Sequence, residues 1–212
     1  MPAKPGSRRR ARPMTTIRTV SLVIGTGTAS VIARLSKRRP VMTDMKRYGL
    51  SPKLAACLAV GVVIGALAVG SRASPSPANP QTRRWYDRLH KPGFTPPAPV
   101  FALAWPLIQT AQAYSGYRLL RAKSSPDRRT ALALWGANQV GIAGWSEVFF
   151  GQRAPGWATA GSAVLEGSAI GLVAVGQRVD RRAATAGLPL VAWVGFATLL
   201  AEEIWRRNDT TG

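Results

Sequence analysis

The chain has 212 residues, of which 46% are hydrophobic, and its 29 Lys and Arg against 9 Asp and Glu give a net charge of +20. A charge of this size suits three classes of partner, namely nucleic acid, anionic lipid and an acidic ligand. Nucleic acid is the weakest of the three, because the cations lie in a tail and in short loops between apolar runs. With one cysteine, Cys57, and one histidine, His90, the sequence lacks a disulfide framework and a Cys/His metal cluster.

Residues 1–53 hold 13 of the 29 basic residues, which predicts a basic, disordered extension. The mildly apolar stretch from Thr19 to Ala33 is short for a membrane span. A signal-peptide core is an alternative, but no small-residue cleavage site precedes the next basic cluster. A later start at Met42 or Met45 is another alternative.

Leu54 to Ser71 is a run of eighteen residues without a charge, which predicts a first membrane helix of about 27 Å. The next 26 residues, 72–97, form a long basic loop, and long loops are usually functional or disordered. Within this loop, Thr82 to His90 is predicted to form a short amphipathic helix with Trp85, Tyr86 and Leu89 turned inward. The alternative for this segment is an interfacial belt of aromatic side chains.

The second and third helices are predicted at Val100 to Leu120 and Thr130 to Phe150, and both carry amides. Gln109 and Gln112 lie on one face of the second helix, one turn beyond Trp105. Amides in hydrocarbon must face protein or a cavity, so this face should point inward. On the third helix, small residues recur every four positions and predict a close helix contact or a homodimer interface. They are Ala133, Ala137 and Gly141.

The fourth helix lies between Arg153 and Arg178, and its single charge is Glu166. A carboxylate at that depth marks either a functional site or a bond to a neighbouring helix. The fifth helix is predicted from Ala183 to Trp205. Residues 54–208 are therefore predicted to form an all-α, multi-pass membrane domain, a five-transmembrane-helix bundle, with a short C-terminal tail at 209–212.

The spacing of aromatic residues and prolines resembles the tryptophan-rich sensory protein and translocator protein family, which includes the peripheral-type benzodiazepine receptors. The resemblance begins at the first loop and second helix and continues into the last three helices. The matching residues are Trp85, Tyr86, Leu89, Lys91, Pro92, Pro96, Pro97, Trp105, Trp145, Phe149, Phe150, Gly151, Pro189, Trp193, Phe196, Trp205 and Asn208.

Several polar positions depart from the family pattern. Ile142 and Ala201 stand where the family has asparagine, and Leu190 stands where it has tyrosine. Gln109 replaces a tyrosine and Phe94 a tryptophan, while Asn138 occupies a glutamine position. The resemblance is therefore strong in the framework and weak in the polar residues that face a ligand.

Indole faces with a few amides suit a planar aromatic ligand, and basic residues at the mouth suit its carboxylates. The resemblance implies the same ligand class, namely porphyrin or haem bound without a covalent link, or a lipid-like small molecule in some relatives. The predicted ligand-binding residues are Trp85, Lys91, Phe94, Trp105, Gln109, Asn138, Trp145 and Trp193.

The main hypothesis is a membrane tetrapyrrole-binding protein that acts as a sensor or regulator of porphyrin handling. Two alternatives remain open, a light-dependent enzyme that degrades protoporphyrin and a transporter of lipid-like or sterol-like molecules. No catalytic residue is assigned, because the sequence shows no hydrolytic triad, metal site or phosphate loop. Membrane lipid and a second copy of the chain are the other expected partners.

Overall fold

The computed structural model describes residues 49–209 of the chain. Within that range the secondary structure is helical and contains no strand. The predicted N-terminal extension, 1–53, lies outside the described residues apart from 49–53. The predicted tail, 209–212, lies outside them apart from Asp209.

Seven α-helices and one π-helical turn follow one another in the described range. They are α1 Pro52–Ser71, α2 Pro80–Arg88, α3 Ala98–Arg121, α4 Pro126–Ser146, the π turn Glu147–Gly151, α5 Pro155–Val179, α6 Arg181–Thr185 and α7 Leu188–Asn208. Every α-helix except α6 has a proline in its first two positions. Proline is favoured there because its fixed φ suits the helix and its missing N–H is not needed.

The five long helices are arranged as a ring. Helix α1 lies against α3 and α4, α5 lies between α4 and α7, and α7 contacts α3. Two clusters of buried side chains lie along the inside, one around Leu119, Trp135 and Leu172 and one around Ile108 and Ile142. A third cluster, which includes Phe149 and Leu200, lies at the end that α2 approaches.

Three helical stretches of the described chain are long and apolar enough to cross a membrane, namely Pro52–Ser71, Pro155–Val179 and Arg181–Asn208. Helices α3 and α4 are long enough, with 24 and 21 residues, but they are less apolar. Each of the two carries a pair of amide side chains in its middle, which contributes to the lower hydropathy.

Two of the predicted helices are not continuous α-helices in the structure. The third predicted helix ends as an α-helix at Ser146 and continues as the π turn, which contains Phe149 and Phe150. The fifth is interrupted at 186–187, between α6 and α7. Pro189 has no N–H with which to continue the hydrogen bonds of the helix. Gly187, just before α7, lies close to α5, since a Cβ on it would be 3.0 Å from the Val173 side chain.

An ion pair fastens the end of α3 to the connection that follows α5. Arg118 donates to Asp180 Oδ2 from Nε at 3.0 Å and from Nη2 at 2.6 Å. Asp180 Oδ1 accepts from the Ala183 N–H at 3.0 Å and so caps α6. Burial alone would raise the pKa of Asp180, but the bonds from Arg118 and from the Ala183 N–H outweigh it and hold the pKa below its ordinary value.

We expect this ion pair to make stability depend on pH in the acid range. A carboxylate with a lowered pKa stabilises the fold fully above its unfolded value of about 4, and the contribution is lost as the pH falls through the folded value. Thermal unfolding in detergent, followed by circular dichroism, should show a melting temperature that falls below about pH 4. Asp180→Asn should lower the free energy of unfolding at pH 7 by about 2 kcal/mol.

The matched control is Asp87→Asn, whose carboxylate is 64% exposed and lies 3.9 Å from Arg83. Such an exposed ion pair contributes little to the free energy of unfolding. Equal destabilisation by the two substitutions would contradict a structural role for the partly buried pair of Arg118 and Asp180.

Candidate functional site

An apolar cavity of about 120 Å³ lies inside the bundle, between α3, α4, α5 and α7. One water needs about 10–15 Å³ of such space, so the cavity has the size for part of an organic molecule. It is lined by Ser74, Tyr86, Phe101, Trp105, Ile142, Trp145, Ser146, Phe149, Phe150, Leu165, Trp193, Val194, Ala197, Leu200, Ala201 and Ile204. Because most of these side chains are apolar or aromatic, the site suits a flat, largely apolar ligand.

Three tryptophans from three helices meet at this cavity, Trp105 from α3, Trp145 from α4 and Trp193 from α7. The Trp105 and Trp193 rings contact edge to face, with centroids 6.1 Å apart. Phe101, one turn before Trp105, meets Trp193 in the same way at 5.5 Å. Helices distant in sequence thus supply one continuous aromatic wall.

Trp145 forms another part of the lining and is held in a fixed orientation. Its ring stacks on Phe149 at 4.9 Å, with an angle of 18° between the planes. Its Nε1 donates to Ser162 Oγ at 2.7 Å and to the Ala158 carbonyl at 3.0 Å, both on α5. The indole N–H is therefore occupied by the scaffold, and the ring itself is the surface that a ligand would meet.

Helix α2 and the segment 89–94, together called the cover, approach the cavity at one end of the bundle. Tyr86 lines the cavity, and its ring meets Phe150 at 5.5 Å. Trp85 meets Phe149 at 6.0 Å, and Leu89 packs in the same cluster. The two phenylalanines belong to the π turn, so this irregular turn supplies the surface on which the cover lies. π-Helical turns are frequent at functional sites.

Burial raises the pKa of the Tyr86 phenol, and the neighbouring Asp87 carboxylate raises it further. The phenol therefore stays protonated at neutral pH and is available as a hydrogen-bond donor at the cavity.

Asn208, near the end of α7, holds the cover in place. Its Oδ1 accepts from the His90 N–H at 2.9 Å, and its Nδ2 donates to the His90 carbonyl at 3.0 Å. The same Nδ2 donates to the Ile204 carbonyl at 2.7 Å. This paired amide contact ties residues 118 positions apart in sequence.

Lys91 lies in the cover but does not line the cavity. Its Nζ donates to the Tyr86 carbonyl at 2.6 Å and lies 4.6 Å from the centroid of the Tyr86 ring. Weaker bonds reach the carbonyls of Asp87 and Leu89. The ammonium thus caps the C-terminus of α2, as cations favourably do.

The predicted ligand-binding residues divide into three groups in the structure. Trp105, Trp145 and Trp193 line the cavity. Trp85, Lys91 and Phe94 belong to the cover, where Phe94 is 52% exposed and meets Phe196 at 6.3 Å. Gln109 and Asn138 are buried but lie beyond the lining, one turn after Trp105 and two turns before Trp145.

Four amides lie in the middle of α3 and α4, and each is at most 2% exposed. They are Gln109, Gln112, Asn138 and Gln139. Gln139 Nε2 donates to Gln112 Oε1 at 3.5 Å, whereas both side-chain polar atoms of Gln109 and of Asn138 have no protein partner among the described residues. These two amides remain free to bond with another group.

Sequence reasoning missed much of the apolar lining, including Leu165 and Leu200. Ile142 and Ala201, noted only as replacements of asparagine, both line the cavity. Leu190, which replaces tyrosine, is fully buried beside Ile142. A signal was available on α7, where Trp193, Ala197, Ala201 and Ile204 recur every three or four residues and so share a face.

The residues proposed for a homodimer differ in exposure, and the homodimer stays a prediction. Ala133 and Ala137 are exposed on α4. Gly141 faces α5, where a Cβ on it would lie 3.0 Å from Leu165. Glu166, the carboxylate in the middle of α5, is half-buried. Its side chain lies beside Gly195 of α7, since a Cβ on Gly195 would be 3.6 Å from Glu166 Oε1.

A family model described as the TspO/MBR family matches residues 54–206. The chain is 29% identical to translocator protein from Homo sapiens over 127 residues, and these residues make up 59% of this chain and 75% of that protein. It is 30% identical over 124 residues to tryptophan-rich sensory protein from Cereibacter sphaeroides, covering 58% and 77% respectively. The family match spans well over half of the chain and includes the cavity and its cover. Three helical stretches within residues 49–209 are apolar enough to cross a bilayer. The chain belongs to the TspO/MBR family of multi-pass membrane proteins.

Proposed function

We propose that α1, α3, α4, α5 and α7 all span the membrane. The amides that make α3 and α4 less apolar are at most 2% exposed, whereas Leu103, Leu107 and Val140 on the same helices are 70%, 71% and 74% exposed. The surface of α3 and α4 facing outward at mid-helix is therefore apolar, and the polar groups lie inside the ring, as a bilayer requires.

The five-helix bundle is proposed to bind a tetrapyrrole of the porphyrin or haem type and to act as a sensor or regulator of porphyrin handling. The observation that carries this proposal is the meeting of Trp105, Trp145 and Trp193 at one apolar cavity. Flat aromatic walls bind flat conjugated ligands through stacking and edge contacts. The names of the two relatives state no ligand, so the ligand class comes from the resemblance to the family as a whole.

Within this proposal the predicted residues have different tasks. The three cavity tryptophans contact the ring of the ligand, and the cover residues Trp85 and Phe94 close over it from one end. Lys91 acts indirectly, because its ammonium fixes the C-terminus of α2. Gln109 and Asn138 lie on the far side from the cover, so their amides would bond to a ligand that extends deeper into the bundle.

The cation that meets a ligand carboxylate is proposed to be Arg153, since Lys91 already donates to backbone carbonyls. The Arg153 guanidinium lies 5.9 Å from the centroid of the Trp85 ring. It follows the π turn at a backbone φ of 54°, which is uncommon for a residue with a side chain.

A second candidate function is the light-dependent breakdown of protoporphyrin with oxygen as the oxidant. The position of Trp145 favours it, because an indole at the wall of a photosensitiser site is a possible electron donor. A third candidate, transport of lipid-like molecules, would show flux across vesicles, which binding alone does not.

Titration of protoporphyrin and of haem into detergent-purified protein, followed by absorbance and tryptophan quenching, tests the binding proposal. Trp105→Leu or Trp193→Leu should weaken binding at least tenfold, about 1.4 kcal/mol, because each removes an aromatic wall of the cavity. The control is Trp157→Leu, since Trp157 is 78% exposed on α5 and does not line the cavity. Equal affinities of all three variants and the parent protein would refute the site.

Illumination of the protoporphyrin complex in air distinguishes the enzyme from the sensor. If the protein is an enzyme, porphyrin absorbance should decline in the light, and Trp145→Phe should abolish the decline while binding in the dark persists. Trp157→Phe should leave the decline unchanged. Stable absorbance in every sample would leave binding as the function.

Removal of the Asn208 side chain tests the cover. Asn208→Ala loses both bonds to the His90 backbone, so the dissociation rate of bound protoporphyrin should rise about tenfold, the effect of one or two hydrogen bonds. Stopped-flow displacement by excess haem measures the rate. The control is Gln177→Ala, which removes an exposed amide near the C-terminus of α5, at the end of the bundle away from the cover. An identical dissociation rate in both variants would argue against a closing role for the cover.

A further inference from the structure

The two ends of the bundle carry different charge. At the end where α3 and α5 finish, residues 49–53, 117–130 and 177–188 hold nine Lys and Arg against two Asp. At the end with the cover, residues 71–97, 147–156 and 202–209 hold eight Lys and Arg against five Asp and Glu. The first end is thus the more cationic, and cationic ends of membrane helices favour the anionic lipid surface of the cytoplasmic side.

Two neighbouring depressions open at the corner between α3 and α6. One, of about 390 Å³, is lined by Tyr114, Arg181, Arg182, Thr185 and Ala186. The other, of about 280 Å³, is lined by Tyr117, Arg118, Arg121, Ala122 and Asp180. They adjoin, because the Arg118 guanidinium lies 5.9 Å from the centroid of the Tyr114 ring.

The arginines of this corner are not equivalent. Arg118 is neutralised by Asp180 at 2.6 Å, and Arg121 donates to the Tyr117 hydroxyl at 3.1 Å. Arg181 and Arg182 are exposed, and no carboxylate of the described chain pairs with either of them. Two adjacent guanidinium groups without a carboxylate partner suit a phosphate, which they can bind through paired hydrogen bonds.

The surface below the corner is suited to a lipid tail. Leu103, Leu107, Thr110 and Tyr114 lie on one face of α3 and are exposed, so an apolar strip leads along the helix to the tyrosine at the depression. Leu188, two residues beyond Ala186, is also exposed, at 48%. Tyrosine is the residue expected at the boundary between hydrocarbon and headgroups.

We propose that this corner is a binding site for an anionic phospholipid, with Arg181 and Arg182 on the headgroup phosphate, Tyr114 at the interface and Leu107 beside an acyl chain. This inference rests on the proposed span of α3, which places its exposed leucines in the bilayer. It is independent of the aromatic cavity, which opens toward the other end of the bundle.

Native mass spectrometry of the full-length protein in detergent, titrated with phosphatidylglycerol and with phosphatidylcholine of the same chains, tests the site. Phosphatidylglycerol should bind at least tenfold more tightly than phosphatidylcholine. The double variant R181Q/R182Q should weaken phosphatidylglycerol binding about thirtyfold, from the usual contribution of two basic residues near an anionic surface. The control R84Q/R88Q removes two exposed arginines of the cover and should leave lipid binding unchanged.

Three outcomes would overturn the proposal. They are equal binding of the two lipids, an equal loss in both double variants, and displacement of phosphatidylglycerol by inorganic phosphate at the same concentration, which would identify a free phosphate site. Protoporphyrin titration of the same samples reports on the aromatic cavity separately, so R181Q/R182Q should bind protoporphyrin with the affinity of the parent protein.

Discussion

The rotation of α3 and α4 about their axes is decided by their amide side chains. In the proposed membrane arrangement, an amide exposed to hydrocarbon would cost several kcal/mol, and Gln109, Gln112 and Asn138 do face the inside of the bundle, each at most 2% exposed. Trp105 lies four and seven residues before the two glutamines, and Trp145 lies seven residues after Asn138, so both tryptophans share the amide face. The constraint on the polar groups therefore also brings the indole rings inward and leaves Leu107 and Val140 outside.

The composition of the cavity follows from the residues that join the tryptophans. Ile142 lies between Asn138 and Trp145 on the same face of α4, and Ala201 lies two turns beyond Trp193 on α7. Each brings an apolar side chain to a position at which the family pattern has an amide, and both line the cavity. A ligand at this site would thus be held by shape and by aromatic contact. The two amides without a partner among the described residues, Gln109 and Asn138, lie deeper in the bundle than the cavity lining. A ligand that depends on hydrogen bonds at the cavity wall would find few partners there.

The sequence was sufficient for the parts of the fold that depend on local rules. The charge-free run up to Ser71 predicted α1, and the amphipathic pattern around Trp85 predicted α2 to within two residues at each end. The family resemblance grouped Trp105, Trp145 and Trp193 as ligand-binding residues, and the rule that amides face inward indicated the inner face of the second helix, which carries Trp105. The predicted spans of α3 and α4 remain a proposal, because their amides lower the apolar character on which such a prediction depends.

Other features depend on contacts that no local pattern contains. The π turn after Ser146 places Phe149 against Trp85, a contact across more than sixty residues of sequence. The bond between Asn208 and the His90 backbone is likewise long-range, and the binding of Lys91 to nearby carbonyls became visible only with the geometry of α2. The break before α7 had a local signal in Gly187 and Pro189, but a proline in a first helical turn is compatible with either a break or a start.

The most direct test of the central claim is an experimental structure of the protein with bound zinc protoporphyrin in a lipid nanodisc. We expect the macrocycle between the Trp105 and Trp193 pair and the Trp145 ring, with α2 closed over it. A macrocycle on the outer surface of the bundle, or tryptophan rings turned outward to the lipid around a solid interior, would contradict the account.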